Sequence, residues 1–504
     1  MKKYSKNYIY YHLVVDFILI FFILLCFFTE IISAEETLLK EQLIFTAIVF
    51  LISLVIIYIL KTVYSILYYK TSGYELKNDK IECVRGVFFR KKSILEYKKI
   101  HAVNKKQNLF HRLFKIAVLT LDSGSANTGS TAEILIIEKD NEIDKLLEEI
   151  KLKQSGNIES EEIESIKVEK ENLYEFTAKS KLWYSLINGI TTLVILVCLS
   201  AIVAVIFSFA LPLLNNVNLG GIGEILVIAL YVVLGYLGVS IFVFIISVLV
   251  SFLNYYNFSV YKNENDIEIN YGFFVHNKNT FKLNKIKGVV ISQNLIQKLF
   301  KFVSVKLEVI GYNEASNNEN NNQTTGVLFP LCKESEVEEN IKSVLPNYLP
   351  DKIEIKAKRY FPFVSWNLFF IGVFSALIIG ITVLELAVFK VLPKTILTTF
   401  VIMFLGALIN CSFVLIDGVL EYLNNGISVN NDKLTITNGA FTKKTIVIYR
   451  KHVIGIEDVT TPLRKKAGIY SFKIHFRAND QTNVITLKNV DESVKETLRN
   501  VVKY

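Results

Sequence analysis

The chain has 504 residues, 52% of them hydrophobic, with a mean hydropathy of +0.39 and a formal net charge of +9. That apolar content exceeds what the cores of an ordinary soluble enzyme of this size need, and the excess lies in long runs almost free of charge. The positive charge is spread as lysine along every polar segment, with no Arg-rich block or basic helix interleaved with aromatics, which argues against nucleic acid and for anionic lipid headgroups.

In chain order, six runs of about 18 residues or more are long enough to span hydrocarbon as helices, at about 14–33, 43–67, 183–212, 222–253, 362–389 and 395–420. The first is longer than the apolar region of a cleaved signal and a second span follows it directly, so it is read as a helix. The runs fall into three hairpins joined by the short turns Ala34–Gln42, Leu213–Gly221 and Lys390–Lys394. The predicted organisation is hairpin 1–70, soluble domain 71–153, linker 154–180, hairpin 181–255, soluble domain 256–348, hairpin 349–422 and soluble domain 423–504. Each hairpin returns the chain to the side it left, so all three soluble domains face one compartment. Lys2, Lys3 and Lys6 at the start, against Glu35, Glu36 and Glu41 in the first turn, place both termini in the cytoplasm; Lys390 and Lys394 in the third turn dissent weakly. Ser155–Glu171 is acid-rich without an apolar face and reads as linker, and Asn317–Gln323 reads as an exposed loop.

The three soluble stretches are copies of one unit. With Gly86, Gly272 and Gly439 as origin, Ile100, Ile286 and Val453 all fall 14 residues beyond, and Gln107, Gln293 and Thr460 fall 21 beyond. The last three open the blocks QNLFHRLF, QNLIQKLF and the divergent TTPLRKKAG. Asn78-Asp79, Asn265-Asp266 and Asn431-Asp432 predict turns followed by strands, and the glycines supply backbone freedom for the next turn. In the third copy Leu434 and Ile436 share one strand face while Thr435 and Thr437 take the other. Each copy ends in a helix-prone segment, Asn141–Leu152, Glu334–Val344 or Asp491–Val502, the last with Val494, Leu498 and Val501 at helical spacing.

The Asn-Asp turn, the Arg85-Gly86 and Tyr271-Gly272 steps, Lys99-Ile100 and the Gln-Asn-Leu…Leu-Phe blocks at 107–114 and 293–300 resemble the bacterial pleckstrin-homology-like domain, formerly a domain of unknown function (DUF304). With three copies, each behind a hairpin, the whole chain is similar to the YdbT-like membrane proteins of Gram-positive bacteria. The resemblance implies a mixed α and β membrane protein in which six transmembrane helices alternate with three PH-like domains, each a curved antiparallel sheet of about seven strands plus a C-terminal helix. It implies no enzymatic activity and no cofactor, a smaller single-repeat PH-like membrane protein as companion, and a role in envelope integrity or antimicrobial tolerance. The third copy departs from the pattern at 460–468.

Basic clusters recur near the turns expected to face the membrane: Arg90, Lys91 and Lys92 with Lys105 and Lys106 in the first copy, and Lys443, Lys444, Arg450 and Lys451 with Arg464, Lys465 and Lys466 in the third. They read either as contacts to anionic headgroups or as a solvated face obeying the positive-inside bias. Asp16, Glu385 and Asp417 lie within apolar runs, near predicted helix ends where they reach the interface. The histidines His12, His101, His111, His276, His452 and His475 are dispersed, and the five cysteines lack metal-binding spacing, so no catalytic, cofactor or metal residue is predicted. Two functional readings follow: a non-enzymatic membrane scaffold whose three modules bind protein or lipid headgroups at the cytoplasmic face, and a transporter or channel component. The second rests on six spans and a repeated architecture, and the lack of central charges weighs against it.

Overall fold

A computed structural model describes residues 1–33, 37–123, 134–155, 171–210, 222–309, 326–357, 375, 416–430, 432–478 and 481–502. The first repeat begins with strand β1 (Lys2–Lys3), ahead of the membrane helices α1 (Asn7–Ser33) and α2 (Thr37–Thr71). There follow β2 (Gly73–Leu76), β3 (Lys80–Arg85), β4 (Lys91–Glu96), β5 (Ala102–Asn108), α3 (Leu109–Leu113), β6 (Ile116–Asp122), β7 (Ile134–Lys139) and α4 (Asp140–Ser155). The second repeat has the same order: β8 (Glu171–Glu175), α5 (Ala178–Ala210), α6 (Ile222–Asn254), β9 (Ser259–Lys262), β10 (Asp266–Tyr271), β11 (Val275–Lys282), β12 (Ile286–Asn294), α7 (Leu295–Leu299), β13 (Phe302–Val309), β14 (Val327–Lys333) and α8 (Val337–Val344). The third runs β15 (Ile355–Lys356), β16 (Gly426–Val429), β17 (Lys433–Asn438), β18 (Thr442–Tyr449), β19 (Val453–Val459), α9 (Pro462–Lys466), β20 (Ile469–Ala478), β21 (Gln481–Asp491) and α10 (Val494–Val502).

Helices α1, α2, α5 and α6 occupy the first two predicted hairpins. Among the described residues, Asn7–Leu25, Thr46–Thr71 and Gly235–Asn254 are long and apolar enough to cross a membrane. Their apolar side chains point outward, Phe22 and Leu60 being more than 60% exposed, which is stable only where lipid is the solvent. Asp16 on α1 meets Lys61 on α2 at 2.8 Å, so the acid in the first run has a cation beside it. The predicted runs 362–389 and 395–420 lie outside the described residues, apart from residue 375 and the helical stretch 416–424.

The chain divides into two compact units: Met1–Glu175 with Asn257–Lys285 and Val309–Thr325, and Phe176–Tyr256 with Ile286–Glu308 and Gly326–Tyr504. The first unit holds a four-stranded sheet in the order β1-β2-β3-β4 and a seven-stranded sheet in the order β7-β6-β5-β11-β10-β9-β8. The second unit holds a seven-stranded sheet, β14-β13-β12-β18-β17-β16-β15, and a three-stranded sheet, β19-β20-β21. Every pairing whose register is described is antiparallel.

This partition departs from a sheet of seven strands closed within one domain. A repeat contributes seven strands, but as four plus three, and each seven-stranded sheet is shared by two consecutive repeats. The strand after the 3-10 turn Tyr97–Lys99 does not continue the sheet of β4. Instead β5 pairs with β11 of the next repeat, Ala102 opposite Phe281 and Asn108 opposite Val275. Likewise β12 pairs with β18, Gly288 opposite Ile448 and Asn294 opposite Thr442. The pairing satisfies the N–H and C=O groups that an edge strand would otherwise present unpaired.

The same topology shortens the predicted linker. Glu171–Glu175 is β8, which extends the sheet of the second repeat by pairing with β9, as β1 does on β2 and β15 on β16. Each repeat therefore starts before its hairpin. The second predicted turn also sits one residue earlier than Asn265-Asp266: Asn263 N–H donates to Asp266 O at 2.9 Å, so Glu264 and Asn265 form the bend.

Within the first repeat, Ile81, Cys83 and Leu95 of one sheet face Leu119, Leu121, Ile134 and Ile136 of the other, with Ile143, Leu146 and Ile150 of α4 closing the core. Each such buried aliphatic side chain contributes roughly 1.5–3 kcal/mol. The third repeat has the equivalent core: Leu434, Ile436, Ile446 and Ile448 against Phe472, Ile474, Ile485 and Leu487, closed by Val494, Leu498 and Val501 of α10. The helical spacing of those last three residues is thus the buried stripe of α10.

Candidate functional site

The repeat glycines sit at the tip of the hairpin between the second and third strands of each module. Gly86, Gly272 and Gly439 have φ of +112°, +109° and +100°, a region in which a Cβ is strained. A side chain at Gly86 would also run into the carbonyl of Phe89, and one at Gly439 into that of Thr442. In the first and third repeats the tip is fastened to the end of the helix before it. Thr71 Oγ1 donates to Gly86 O at 2.8 Å, and in the third repeat Asn424 Nδ2 donates to Gly439 O at 2.8 Å and to Ala440 O at 3.1 Å. Beyond the glycine the tip carries aromatic side chains turned outward, Phe88 and Phe89 being 81% and 95% exposed, with Phe273, Phe274 and Phe441 also exposed.

A second feature lies beside the first helix of each of the first two hairpins. The Gln-Asn-Leu…Leu-Phe blocks fold as the ends of β5 and β12 and the short helices α3 and α7. Gln107 Nε2 donates to Ile116 O at 3.1 Å and Gln293 Nε2 to Phe302 O at 3.0 Å. The helix start is capped reciprocally in the second repeat: Asn294 Oδ1 accepts from Gln297 N and Gln297 Oε1 accepts from Asn294 N. In the first repeat His111 Nδ1 accepts from Asn108 N at 3.4 Å. Burial, then His12 and Lys106, lowers the His111 imidazole to about 4, so the ring is neutral near pH 7 and keeps its acceptor nitrogen.

The outer faces of these helices are apolar, Leu109, Phe110 and Leu113 on α3 and Leu295, Leu299 and Phe300 on α7 or its end all being exposed. Tyr11 of α1 lies 4.5 Å from the His111 ring, and Trp183 of α5 lies 5.5 Å from Phe300. Exposed leucines and phenylalanines therefore adjoin the membrane helices. In the third repeat Pro462 opens α9, and Arg464, Lys465 and Lys466 replace that apolar surface.

The predicted basic residues differ in exposure and in what they touch. Arg90, Lys91 and Lys92 are exposed at the tip and the start of β4, with Lys92 reaching Glu82 at 2.9 Å. Hydrogen bonds from Lys77 and then Lys92 hold the Glu82 carboxyl at about 2. Lys105 is buried between Asp140 at 2.8 Å and Asp144 at 2.7 Å; burial lowers its affinity for a proton, and those two acids outweigh it, so its pKa is raised. Its charge is spent inside the module, whereas Lys106, the next residue, is exposed. Lys443 and Lys444 lie on β18 opposite Gln293 and Ser292, within the shared sheet. Burial, and then Lys444, lowers the pKa of Lys306. Arg464 Nη1 donates to Ser471 Oγ at 3.3 Å, Lys465 and Lys466 are exposed, and Arg450 donates to Val501 O.

Of the repeat positions, Ile100 and Ile286 are core residues and Val453 is half-buried. Glu385 lies outside the described residues, and Asp417 is half-buried in the helical stretch 416–424. Among the described residues, no group of three His, Cys, Asp or Glu side chains could hold a metal ion. Sequence reading missed Thr71 and Asn424, whose only signal is that each lies 15 residues before its repeat glycine.

The chain is similar to the transmembrane protein YdbT of Bacillus subtilis (strain 168), 23% identical over 459 residues that cover 88% of this chain and 87% of that protein. Residues 20–153, 191–347 and 369–504 each match the family described as Bacterial PH domain. With three matches spanning well over half of its length, each taking in an apolar run and the module after it, the chain belongs to the bacterial PH domain family as a membrane protein that carries the domain in repeat.

Proposed function

We propose that the protein is a non-enzymatic membrane scaffold that holds three PH-like modules against the cytoplasmic leaflet, with both termini on that side. The observation that carries this reading is the fastening of the hairpin tip to the end of the membrane helix by Thr71 and Asn424. It keeps the exposed Phe88 and Phe89, and the neighbouring Arg90 and Lys91, at headgroup depth. Aromatic rings there enter the interface, and each lysine or arginine near an anionic surface contributes about 1 kcal/mol. Lys106 in the first repeat and Lys465 and Lys466 in the third are exposed and available for such contacts; Lys105, committed to Asp140 and Asp144, is not.

In this reading the modules bind headgroups and protein, including a smaller single-repeat membrane protein as companion, and serve envelope integrity. The full chain in vesicles containing brominated lipid tests it. A Phe89→Trp substitution gains fluorescence that brominated lipid quenches, and raising the anionic lipid fraction deepens the quenching. If the emission gained through that substitution stayed unquenched, interfacial docking would be refuted. Affinity purification from gently solubilised membranes tests the scaffold itself: a stoichiometric small membrane protein is the expected partner, and flux in vesicles carrying this chain alone would favour a transporter instead.

A further inference from the structure

Two strand edges break the pattern of the repeats. The strands equivalent to β4 are β11 and β18, and both pair with a neighbouring repeat; the strands equivalent to β19 are β5 and β12, and both do so too. Among the described residues, β4 and β19 each have a neighbour on one side only. The other sheet edges, β1, β8 and β15 or β7, β14 and β21, are edges in all three repeats.

The two internal junctions share one register. Asn108, 22 residues past Gly86, meets Val275, three past Gly272; Asn294, 22 past Gly272, meets Thr442, three past Gly439. Carried to the open edges, that register sets Thr461 opposite Phe89, Asp458 opposite Lys92, Ile456 opposite Ile94 and Gly455 opposite Leu95. Three of these matches have physical content. Val289 and Val447, which occupy the Ile456 and Ile94 positions in the second junction, are 0% and 1% exposed, whereas Ile94 is 53% exposed. A small residue, Ala102 or Gly288, faces the bulky Phe281 or Ile448 at each internal junction, and a Cβ on Gly288 would come within 2.9 Å of Ile448 Cγ2. Gly455 is the third small residue at that position, and a Cβ on it meets nothing within 4 Å, leaving open the space a leucine would fill. The charges are complementary: β19 carries Glu457 and Asp458 and no base, while Arg90, Lys91 and Lys92 lead into β4.

We infer that β19 of one copy pairs with β4 of a second copy, forming between chains the junction that β5 with β11 and β12 with β18 form within one. The interface is head-to-tail, so it propagates to a ring or a row of chains in the membrane plane. It rests on the reading that the first and third modules face the same compartment.

The test uses two full-length chains with different tags, one carrying Ile94→Cys and the other Ile456→Cys, co-expressed and oxidised in native membranes. A disulfide-linked dimer containing both tags is expected, with little product from Ser93→Cys paired with Ile456→Cys. Adding Gly455→Phe should cut the dimer about tenfold or more, as overpacking against a filled site does. No dimer, or one indifferent to Gly455→Phe, overturns the inference. So does a link from Ile456→Cys to a smaller membrane protein, or one closing within a single chain that carries both cysteines. An impermeant thiol reagent applied to right-side-out and inverted vesicles separates the two failures. If Ile94→Cys and Ile456→Cys react from opposite faces, the shared compartment is what fails.

Discussion

Repeats one and three share a frame and differ in what they show outside. In the first, Gln107 donates to Ile116 O; in the third, Thr460 stands at that position and its Oγ1 donates to Ile469 O at 3.0 Å. The chain then leaves the short helix through a left-handed residue in both, Lys115 at φ +52° and Gly468 at φ +66°. The buried carbonyl needs a donor and is indifferent to whether an amide or a hydroxyl supplies it. Between those fixed points, Leu109, Phe110 and Leu113 give way to Arg464, Lys465 and Lys466. Backbone satisfaction constrains the repeat, and the surface above it is free to specialise.

The comparison breaks most readily at the tip glycine. Gly86→Ala and Gly439→Ala should each destabilise their own module by about 3 kcal/mol, because a Cβ is strained at that φ and meets a backbone carbonyl. Thermal unfolding of the detergent-solubilised protein, with amide exchange assigning the loss to one module, measures it.

Acid should separate the repeats next. The folded-state His111 value of about 4 lies below the unfolded value near 6.5, so the unfolded chain binds the proton first as pH falls. Stability from this group is complete above about pH 6.5 and is lost as pH drops toward 4, by about 2 kcal/mol at pH 5. Amide exchange across 102–122 against pH reports it, and His111→Gln, which copies Gln297 of the second repeat, should abolish the dependence.

Gly288→Val should cost about 2 kcal/mol through its clash with Ile448, while Gly455→Val, in open space, should leave the melting of the isolated chain within about 0.5 kcal/mol of the parent. Equal effects would mean that the space beside Gly455 is not open in the isolated chain. Smallest, Gln293→Ala and Thr460→Ala should each cost about 1 kcal/mol, the value of one hydrogen bond to a partly buried carbonyl. Thr460→Ser, which keeps the hydroxyl, should recover most of it.

Much of this frame is legible without coordinates. The glycines are visible because a left-handed turn tolerates little else, and Val494, Leu498 and Val501 because a buried helix face has a 3.6-residue period. The candidate surface is less so. Lys105 and Lys106 look alike in sequence, yet the acids that hold Lys105 lie on α4, more than thirty residues away. Glu171–Glu175 has a linker's composition and becomes a strand because β9 offers it an edge.

Sequence alone determined the membrane-length runs, the triple repeat and, to within about one residue, the turns that follow the first strand of each module, since hydropathy and backbone conformation are local properties written residue by residue. Only tertiary structure decided that β5 joins β11 and β12 joins β18. Alternation along a strand specifies which face is buried and says nothing of which chain segment lies alongside, because every strand edge offers the same backbone donors and acceptors.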